Sequence, residues 1–419
     1  KGSASALFAA LHKPDHQRTP VERNLVTIAF AKANPDMAKL AKAINGEIGL
    51  QRRSLVKGKT SVMVMDAAAA NRKTPILIRG AYDQPGEFVE PGIPEILGSL
   101  PESTVAPDRL ALANWLTHPA HPLTARVTVN RYWQMLFGTG LVKTAEDFGS
   151  QGEWPSHPKL LDWLASEFVA SGWDVRALLK TMLLSRTYRQ SSDVPESLLE
   201  RDPYNRLLAR APRFRLPAEA IRDGALAMGG LLDQAVGGPS VYPPQPAGLW
   251  KEVSHFGHPS FFSAQHFFSD RDPGRIYRRS LYTFWKRSSP PPVMTAFDAP
   301  NRETCAVRRS LTNTPLQALV LMNAPQFVEA SRGLARQMLN AGENIDSQIR
   351  HGFRLATARY PSSAELAVLK AAYQRQLAYF AESPQRAASY VGGKAEAKVA
   401  AISTVASLIL NLDETITRE

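Results

Sequence analysis

Residues 277–323 read YRRSLYTFWKRSSPPPVMTAFDAPNRETCAVRRSLTNTPLQALVLMN, and the rest of the chain is organised around them. The stretch combines seven arginines and lysines with aromatic residues, a triple proline and the only cysteine, Cys305. Thr314 and Pro315 form a favourable helix start, and the apolar run LQALVLM continues from them. The stretch therefore predicts a basic, aromatic-rich segment that leads directly into a helical core.

Helical periodicity extends outward on both sides of this stretch. Apolar residues recur at helical spacing in five segments between residues 107 and 232 and in five more after residue 314. In the first group, Gly138 predicts a helix end, and Ser156 and Asp174 predict helix starts. Between these groups, residues 237–276 are rich in proline, glycine and aromatic side chains and follow no period. We therefore expect a mainly α-helical protein with a long aromatic and basic irregular insertion at about residues 237–313.

A minor β element is predicted before the first helical group. The short apolar runs at residues 61–66 and 74–80 have the length and composition of strands, so they predict a two-stranded element. Residues 82–94 contain several turn-forming residues and predict an ordered loop. We expect this β element to be the smallest part of the fold.

The N-terminal residues differ in pattern from the rest of the chain. Residues 18–58 predict two helices that form a helical hairpin. The first helix begins at Thr19, before a proline. The chain starts without methionine and without a signal-peptide layout, so we expect Lys1 to be an internal or processed start. We expect residues 1–60 to lead from upstream domains and residues 61–419 to form one helical domain.

The composition favours anionic partners. Lysine and arginine number 50 against 38 aspartates and glutamates, which gives a net charge of +12. The basic residues are dispersed along the chain, which argues against nucleic acid as the partner.

No window approaches ~18 uninterrupted apolar residues, so the sequence predicts no membrane span. A single cysteine excludes an internal disulfide and a multi-cysteine metal site, and we expect Cys305 to be a buried thiol.

Several long motifs resemble a known family. They are DRLALANWLTHPAHPLTARVTVNRYWQMLFG from residue 108, PRFRLPAEAIRDGALA from residue 212, and the stretch 277–323. The sequence is similar to the planctomycete cytochrome-c-associated domain of unknown function, of the PSD type, which forms the C-terminal part of larger exported proteins. The resemblance implies a periplasmic or cell-surface location and an upstream cytochrome c-type domain or subunit as partner. Haem c is implied only for that upstream part, because this segment has no Cys-x-x-Cys-His motif and we expect no cofactor in it.

The ligand-binding candidates are arginines beside amide or aromatic side chains. Arg126 and Asn130 are four residues apart on one predicted helix face, and such a pair suits planar recognition of carboxylate, sulfate or sugar hydroxyls. In residues 277–308, cations alternate with rings, which favours cation–π contacts and an anion pocket. The candidates are Arg126, Asn130, Arg131, Arg279, Tyr282, Trp285, Arg287 and Arg302. In both groups the same residues could instead hold the fold together through neighbouring carbonyls and acids, and that alternative stays open.

The catalytic candidates are carboxylates and one histidine. Asp147, Glu153 and His157 follow one another in a single loop, where two carboxylates could divide the roles of acid and base. Asp298 could orient an arginine of the basic stretch or act beside it. Each of these residues could equally cap a helix or anchor a turn, because spacing within a loop says nothing about distance in space.

A metal site is the weaker interpretation of the aromatic insertion. His255 and His258 are three residues apart, a spacing that can place two imidazoles on one metal ion. The phenylalanines around them instead favour a lid or a segment that docks a partner. We therefore predict no metal site, with these two histidines as the weak candidates.

Two functions fit these patterns. The first is a binding module of an exported, cytochrome-containing protein, which presents a basic, aromatic-lined cleft to an anionic or carbohydrate ligand, including anionic polysaccharide, or docks its partner redox domain. The alternative is a hydrolase or oxidoreductase acting on a polysaccharide-derived substrate, with a site formed by residues 126–157 and 277–308. An enzyme requires the candidate carboxylates to converge with arginines in one pocket, so the geometry distinguishes the two.

Overall fold

The structure is a computed structural model that describes residues 2–34, 63–65, 73–98, 108–245, 276–285, 290–393 and 396–418, with scattered positions between 36 and 50. The chain divides into two compact units, Lys1–Glu90 and Pro91–Glu419. It is mainly helical with minor two-stranded antiparallel pairing, which confirms the predicted fold class. No helix in the described ranges is both long enough and apolar enough to cross a bilayer.

The first unit contains the helices Gly2–Leu11 and Pro20–Ala33. The second of these begins as predicted, with a capping box. The Glu22 carboxylate accepts the Thr19 N–H at 2.9 Å, and the Thr19 hydroxyl accepts the Glu22 N–H at 3.3 Å. The other helix predicted within residues 18–58 lies largely outside the described residues.

The predicted β element is present, but its second strand differs from the prediction. Thr74–Leu77 pairs antiparallel with Pro85–Val89, a segment for which the sequence predicted a loop. The strand predicted at residues 61–66 lies mostly outside the described residues, and the described part, Met63–Met65, is not in a strand. Pro85 and Gly86, two of the turn-forming residues that suggested a loop, lie in the second strand. The connection between the strands contains a turn in which the Gln84 N–H donates to the Ala81 carbonyl at 3.1 Å.

The second unit consists of two groups of helices. The N-terminal group comprises Arg109–Leu116, Thr124–Phe137, Pro158–Ala170, Val175–Leu184, Glu196–Arg201 and Ala218–Met228. The C-terminal group comprises Pro292–Ala296, Pro315–Asn323, Pro325–Asn340, Ile345–Thr357, Ser363–Ala381, Pro384–Val391, Ala397–Leu410 and Asp413–Ile416. The two-residue strand Phe214–Arg215 pairs antiparallel with Thr417–Arg418 and so fastens the end of the chain to the middle.

Most helix ends in this unit follow the predicted local signals, and one does not. Asp174 accepts two backbone N–H groups of the helix that follows it, at 2.9 and 3.0 Å, and Gly138 ends a helix with φ at +76°. Ser156 does not cap the helix that begins at Pro158. Its hydroxyl donates to the Leu141 carbonyl, because a 2.9 Å backbone bond to the same carbonyl holds Ser156 against the preceding turn.

The second unit has two hydrophobic clusters. The larger one surrounds the helix Ala397–Leu410, in which six residues have no exposed surface. A helix that is apolar on nearly all sides is stable only when other helices surround it, and this one packs against Pro325–Asn340 and Ser363–Ala381. The smaller one, which we name the N-terminal cluster, is built on Trp133 and Phe137, whose rings stack at 3.9 Å.

The described parts of the predicted insertion are partly buried and partly exposed. Val293, Met294, Phe297 and Ala299 belong to the larger cluster, whereas the segment that follows them lies on the surface. Residues 301–314 are exposed except Val307, and Cys305 is therefore exposed. The prediction of a buried thiol was wrong. The segment carries no run of apolar residues to bury, and the core resumes only at the helix Pro315–Asn323.

Candidate functional site

A cleft of about 500 Å³ opens beside the N-terminal cluster. Its lining combines four aromatic rings with three arginines: Trp133, Phe137, Tyr204, Phe214, Arg206, Arg210 and Arg213. Among the described lining residues, Asp193 is the only carboxylate. We name this cavity the arginine cleft. Its volume and its mixture of apolar walls and a few polar groups are typical of small-ligand sites.

One wall of the arginine cleft is the turn at residues 138–142, which Asn130 supports. Asn130 is completely buried, and its amide nitrogen donates to the Val142 carbonyl at 3.0 Å. Its amide oxygen accepts the Val142 N–H at 2.9 Å. Gly140 leaves no space for a side chain, because a Cβ there would lie 2.6 Å from the Asn130 amide nitrogen. Asn130, a predicted ligand-binding residue, has both ends of its amide engaged inside the protein and positions this wall.

The opposite wall is the loop at residues 202–211, which the sequence analysis did not single out. The buried Asp202 carboxylate accepts the backbone N–H groups of Arg206 and Leu207 at 2.8 and 2.7 Å. Asn205 and Leu208 both have positive φ, at +51° and +56°. A left-handed leucine is uncommon and costs free energy, so the bonds around it must hold the loop in this shape.

Arg206 ties the two walls together. Its Nη1 donates to the Gly140 carbonyl at 3.1 Å and its Nη2 to the Leu141 carbonyl at 3.2 Å. Burial raises the pKa of Asp202, but the two N–H donors and the charges of Arg210 and Arg206 outweigh burial and hold that pKa below its usual range. The loop therefore keeps an ionised carboxylate at its base, which balances part of its positive charge.

Arg210 differs from the other cleft arginines because one of its donors is unused. The residue is 8% exposed, and its Nη2 donates to the Pro203 carbonyl at 2.9 Å. Its Nη1 is shielded from solvent and has no hydrogen-bond partner among the described residues. An unsatisfied buried donor costs about 1–3 kcal/mol. A charged donor left without an acceptor in the lining of a cavity is suited to bind an anionic oxygen.

A second cavity of about 400 Å³ brings two of the predicted groups together, because Arg126 and Glu153 both line it. We name it the tryptophan cavity after Trp154, another lining residue. Arg126 Nε donates to the Asp162 carboxylate at 2.7 Å, and Glu153 lies 3.1 Å from the Lys143 ammonium group. Each charged side chain that lines this cavity is thus paired, Arg126 with Asp162 inside the lining and Glu153 with Lys143 beside it.

A family model described as a protein of unknown function, PSD1 (DUF1553), matches residues 108–373, which is more than half of the chain. The chain belongs to the DUF1553 family. No curated protein and no solved structure matches it. The lining residues of the arginine cleft and those of the tryptophan cavity all lie within the part of the chain that matches the DUF1553 model.

The remaining candidates of this region have local partners in the DUF1553 domain. The Asp147 carboxylate accepts the Gly149 N–H at 2.7 Å and so shapes the loop beside the tryptophan cavity. His157 precedes the first residue of a helix, and its Nδ1 lies 3.0 Å from the Ser156 hydroxyl. Arg131 is exposed on its helix and lines neither cavity.

The predicted site in the basic stretch of the DUF1553 domain does not join either cavity. The Asp298 carboxylate accepts Arg215 Nη2 at 2.7 Å and the Thr312 N–H at 2.8 Å. The Arg302 guanidinium stacks 4.3 Å from the centre of the Trp285 ring. The candidate side chains Asp298, Arg302 and Trp285 thus contact one another or neighbouring segments of the chain. Arg279 is exposed, and Tyr282 packs 3.7 Å from the Arg278 guanidinium.

Three predicted residues, Arg287, His255 and His258, lie outside the described residues. Within the described part of the chain, no group of three or more histidines, cysteines and carboxylates could hold a metal ion. The described geometry therefore adds nothing to the weak metal interpretation of the aromatic insertion.

The sequence analysis also missed a buried arginine behind the basic stretch. Arg222 is 1% exposed, and it donates to the Ile276 and Arg278 carbonyls at 2.8 and 2.9 Å and to the Gln326 side chain at 2.5 Å. Burial lowers its pKa to about 10, against the opposing effect of Asp223, so the guanidinium stays charged near neutrality. The signal was available, because Arg222 interrupts the apolar face of an amphipathic helix.

Proposed function

We propose that this DUF1553 domain is a binding module and that the arginine cleft holds a sugar ring carrying an anionic group. The observation that carries the proposal is Arg210, a buried guanidinium with an unused donor in the lining of a ring-walled cavity. Arginine suits carboxylate and sulfate because its planar fork matches their oxygens. Arg213, half exposed and also in the lining, is ion-paired with Asp413, so the unused donor of the cleft is that of Arg210.

The aromatic walls support a ring-shaped ligand. Tyr204 and Phe214 line the same cavity as the arginines, and Tyr204 is 79% exposed, so an aromatic surface is accessible there. Trp133 and Phe137, which stack on each other, close the cavity on the side of the N-terminal cluster. A pyranose ring has an apolar face of C–H groups and a polar edge of hydroxyls, so it can use both kinds of surface. A simple inorganic anion would use the arginines and leave the aromatic walls without a partner.

A binding role agrees better with this lining than hydrolysis does. Most glycoside hydrolases use two carboxylates that flank the scissile bond. Among the described residues that line the arginine cleft, Asp193 is the single carboxylate. Asp147, Glu153 and Asp298, the predicted catalytic carboxylates, lie in other surroundings. The enzyme alternative predicts shortened or oxidised products when the protein is incubated with acidic polysaccharide, and product analysis tests it.

The sequence resemblance supports a wider proposal about the setting. In that proposal the domain belongs to a planctomycete protein that is exported to the periplasm or cell surface and carries a c-type cytochrome domain upstream. A carbohydrate-binding module would then hold the redox domain near polysaccharide. Haem staining of the natural polypeptide, isolated from a surface fraction, tests this part independently of ligand binding.

Calorimetric titration with glucuronic acid, with glucose and with sulfate tests the proposed function. We expect glucuronic acid to bind more tightly than glucose or sulfate, and its affinity to fall as salt is added. Arg210→Gln should weaken glucuronic acid at least tenfold, a change of about 1.4 kcal/mol. The control is Arg131→Gln, which removes an exposed arginine outside the cleft. Equal affinity for glucose, or unchanged binding by a folded Arg210→Gln variant, would contradict the proposal.

A further inference from the structure

We infer that the arginine cleft and the tryptophan cavity together bind one oligosaccharide, with an acidic unit in the cleft and a neutral unit in the cavity. The inference rests on the proposed function, because it needs the arginine cleft to hold the acidic unit. It adds a second subsite and the chemical class of a longer ligand.

The two cavities share a thin wall. Pro155 lines the tryptophan cavity and the next residue, Ser156, lines the arginine cleft. Their Cα atoms are about 3.8 Å apart, as in any trans peptide. On the neighbouring turn, Gly140 lines the cleft and Val142 lines the cavity. A backbone bond of 2.9 Å from the Ser156 N–H to the Leu141 carbonyl joins these two segments. A chain of sugars that crossed this wall would have one unit on each side.

The wall is fixed rather than mobile in this geometry. Asn130 bonds to both backbone groups of Val142, and Arg206 bonds to the carbonyls of Gly140 and Leu141. The distance between the two sites is therefore fixed, which favours an oligosaccharide whose sugar units are separated by the same distance. Once one sugar unit is bound, a linked second unit can bind the other site without a further loss of overall translational freedom, so the affinity of the linked ligand is higher.

The charges of the two cavities differ. The arginine cleft has three arginines and one carboxylate among its described lining residues. The tryptophan cavity has Arg126, Glu153 and Asp162, and there the arginine is already bonded to Asp162 at 2.7 Å. The acidic unit is thus favoured in the cleft. Both carboxylates of the tryptophan cavity are paired, Asp162 with Arg126 and Glu153 with Lys143, so this cavity offers no unpaired cation to a second anionic unit. Its carboxylate oxygens can accept hydrogen bonds from sugar hydroxyls.

Trp154 supplies the ring contact of the second site. It lines the tryptophan cavity, yet it is 90% exposed. A large aromatic ring exposed to that degree gains little by packing within the protein, because water reaches most of its surface. The indole face is instead available to stack on the apolar face of a sugar. Since the side chain buries so little surface, its removal should leave the fold intact.

The ligand that meets these conditions alternates acidic and neutral sugars. Hyaluronan oligosaccharides, in which glucuronate alternates with N-acetylglucosamine, provide a defined probe from the disaccharide to the octasaccharide. Oligogalacturonides of the same lengths carry a charge on every unit and provide the contrasting probe. We expect affinity for the hyaluronan series to rise at least tenfold from glucuronic acid to the tetrasaccharide. We expect the oligogalacturonide series to rise less.

Trp154→Ala tests the second site directly. We expect this variant to bind glucuronic acid like the unmodified protein and to lose most of the gain that the tetrasaccharide brings. Tryptophan fluorescence of the unmodified protein should change on adding the tetrasaccharide, and that change should shrink in the variant. The control is Trp163→Ala, which removes a tryptophan that is 50% exposed and lines neither cavity.

The outcomes separate this inference from the proposed function. If glucuronic acid binds through Arg210 while affinity does not rise with length, the second site is overturned and the proposed function stands. If the gain with length survives Trp154→Ala, the second site is likewise overturned. If neither glucuronic acid nor any oligosaccharide binds, both fail. A gain that depends on Trp154 and not on Trp163 supports the inference.

Discussion

Two arginines of this protein, Arg222 and Arg210, are both buried and differ in how many hydrogen-bond partners they have. Arg222 is 1% exposed, and each of its three guanidinium nitrogens donates to a protein acceptor. Arg210 is 8% exposed, and its Nη1 has no acceptor among the described residues. The first fastens the basic stretch to the core, whereas the second lines a cavity.

The comparison shows that an unused donor together with a place in the lining of a cavity, and not burial or residue type, marks a candidate binding arginine. Removing a donor that has partners leaves buried acceptors without a bond, and that costs stability. Removing a donor that lacks a partner costs little stability and affects only what binds there. The variants described next should therefore divide between unfolding and ligand binding.

Arg222→Met should have the largest effect on stability. It leaves the Ile276 and Arg278 carbonyls and the Gln326 side chain without their buried donor, and it leaves Asp223 without its neighbouring charge. We expect the free energy of unfolding in urea to fall by about 3–5 kcal/mol, as for a broken buried ion pair. A fall below about 1 kcal/mol would mean that these bonds do not hold the basic stretch to the core.

Asn130→Ala should have the next largest effect. Both backbone groups of Val142 lose their partners, at a cost of about 1–3 kcal/mol. The wall of the arginine cleft would lose its support as well, so this variant should lower both stability and affinity for glucuronic acid. Urea unfolding and calorimetry on the same preparation measure the two effects. A loss of affinity without any loss of stability would instead place Asn130 in contact with the ligand.

Arg210→Met should lower stability by about 1–2 kcal/mol, because it removes one bond to a carbonyl and a charge that favours the ionised Asp202, together with one unsatisfied donor. Its affinity for glucuronic acid should nevertheless fall at least tenfold. Arg222→Met is the matched control, since it makes the same substitution at another buried site. If Arg210→Met unfolds the protein as readily as Arg222→Met does, the distinction between the two arginines fails.

Much of the fold could be predicted from local sequence, since its signals lie within a few residues. The helix starts at Thr19 and Asp174 and the helix end at Gly138 were predicted from the residue types that satisfy free backbone groups. Ser156 has the right type for a cap, but a distant carbonyl competes for its hydroxyl, and sequence spacing contains no information about that competitor.

The chemistry of the candidate site was better predicted than its residues. A cleft lined by arginines and rings is present, but Arg206, Arg210 and Arg213 line it instead of the arginines of the basic stretch. Basic and aromatic residues that are close in sequence stacked on one another, as Arg302 does on Trp285. The cleft arginines come from a loop whose shape depends on Asp202, and that shape exists only after folding.

The smallest expected effect comes from the charge of Asp202, whose contribution to stability should be present near neutral pH and lost in acid. Its folded pKa lies below the ordinary value, so its contribution to stability is complete above the pKa of the unfolded chain, about 3.9. That contribution is lost as the pH falls through the lowered folded pKa. The unmodified protein should therefore lose stability relative to Asp202→Asn between pH 5 and the acid limit, and keep a constant difference from pH 5 to pH 7.

Urea unfolding of both proteins across this range measures the difference. A difference that stays constant into acid would mean that the charge of Asp202 does not hold the loop, and Arg210 would then owe its position to the Asn205 and Pro203 contacts alone.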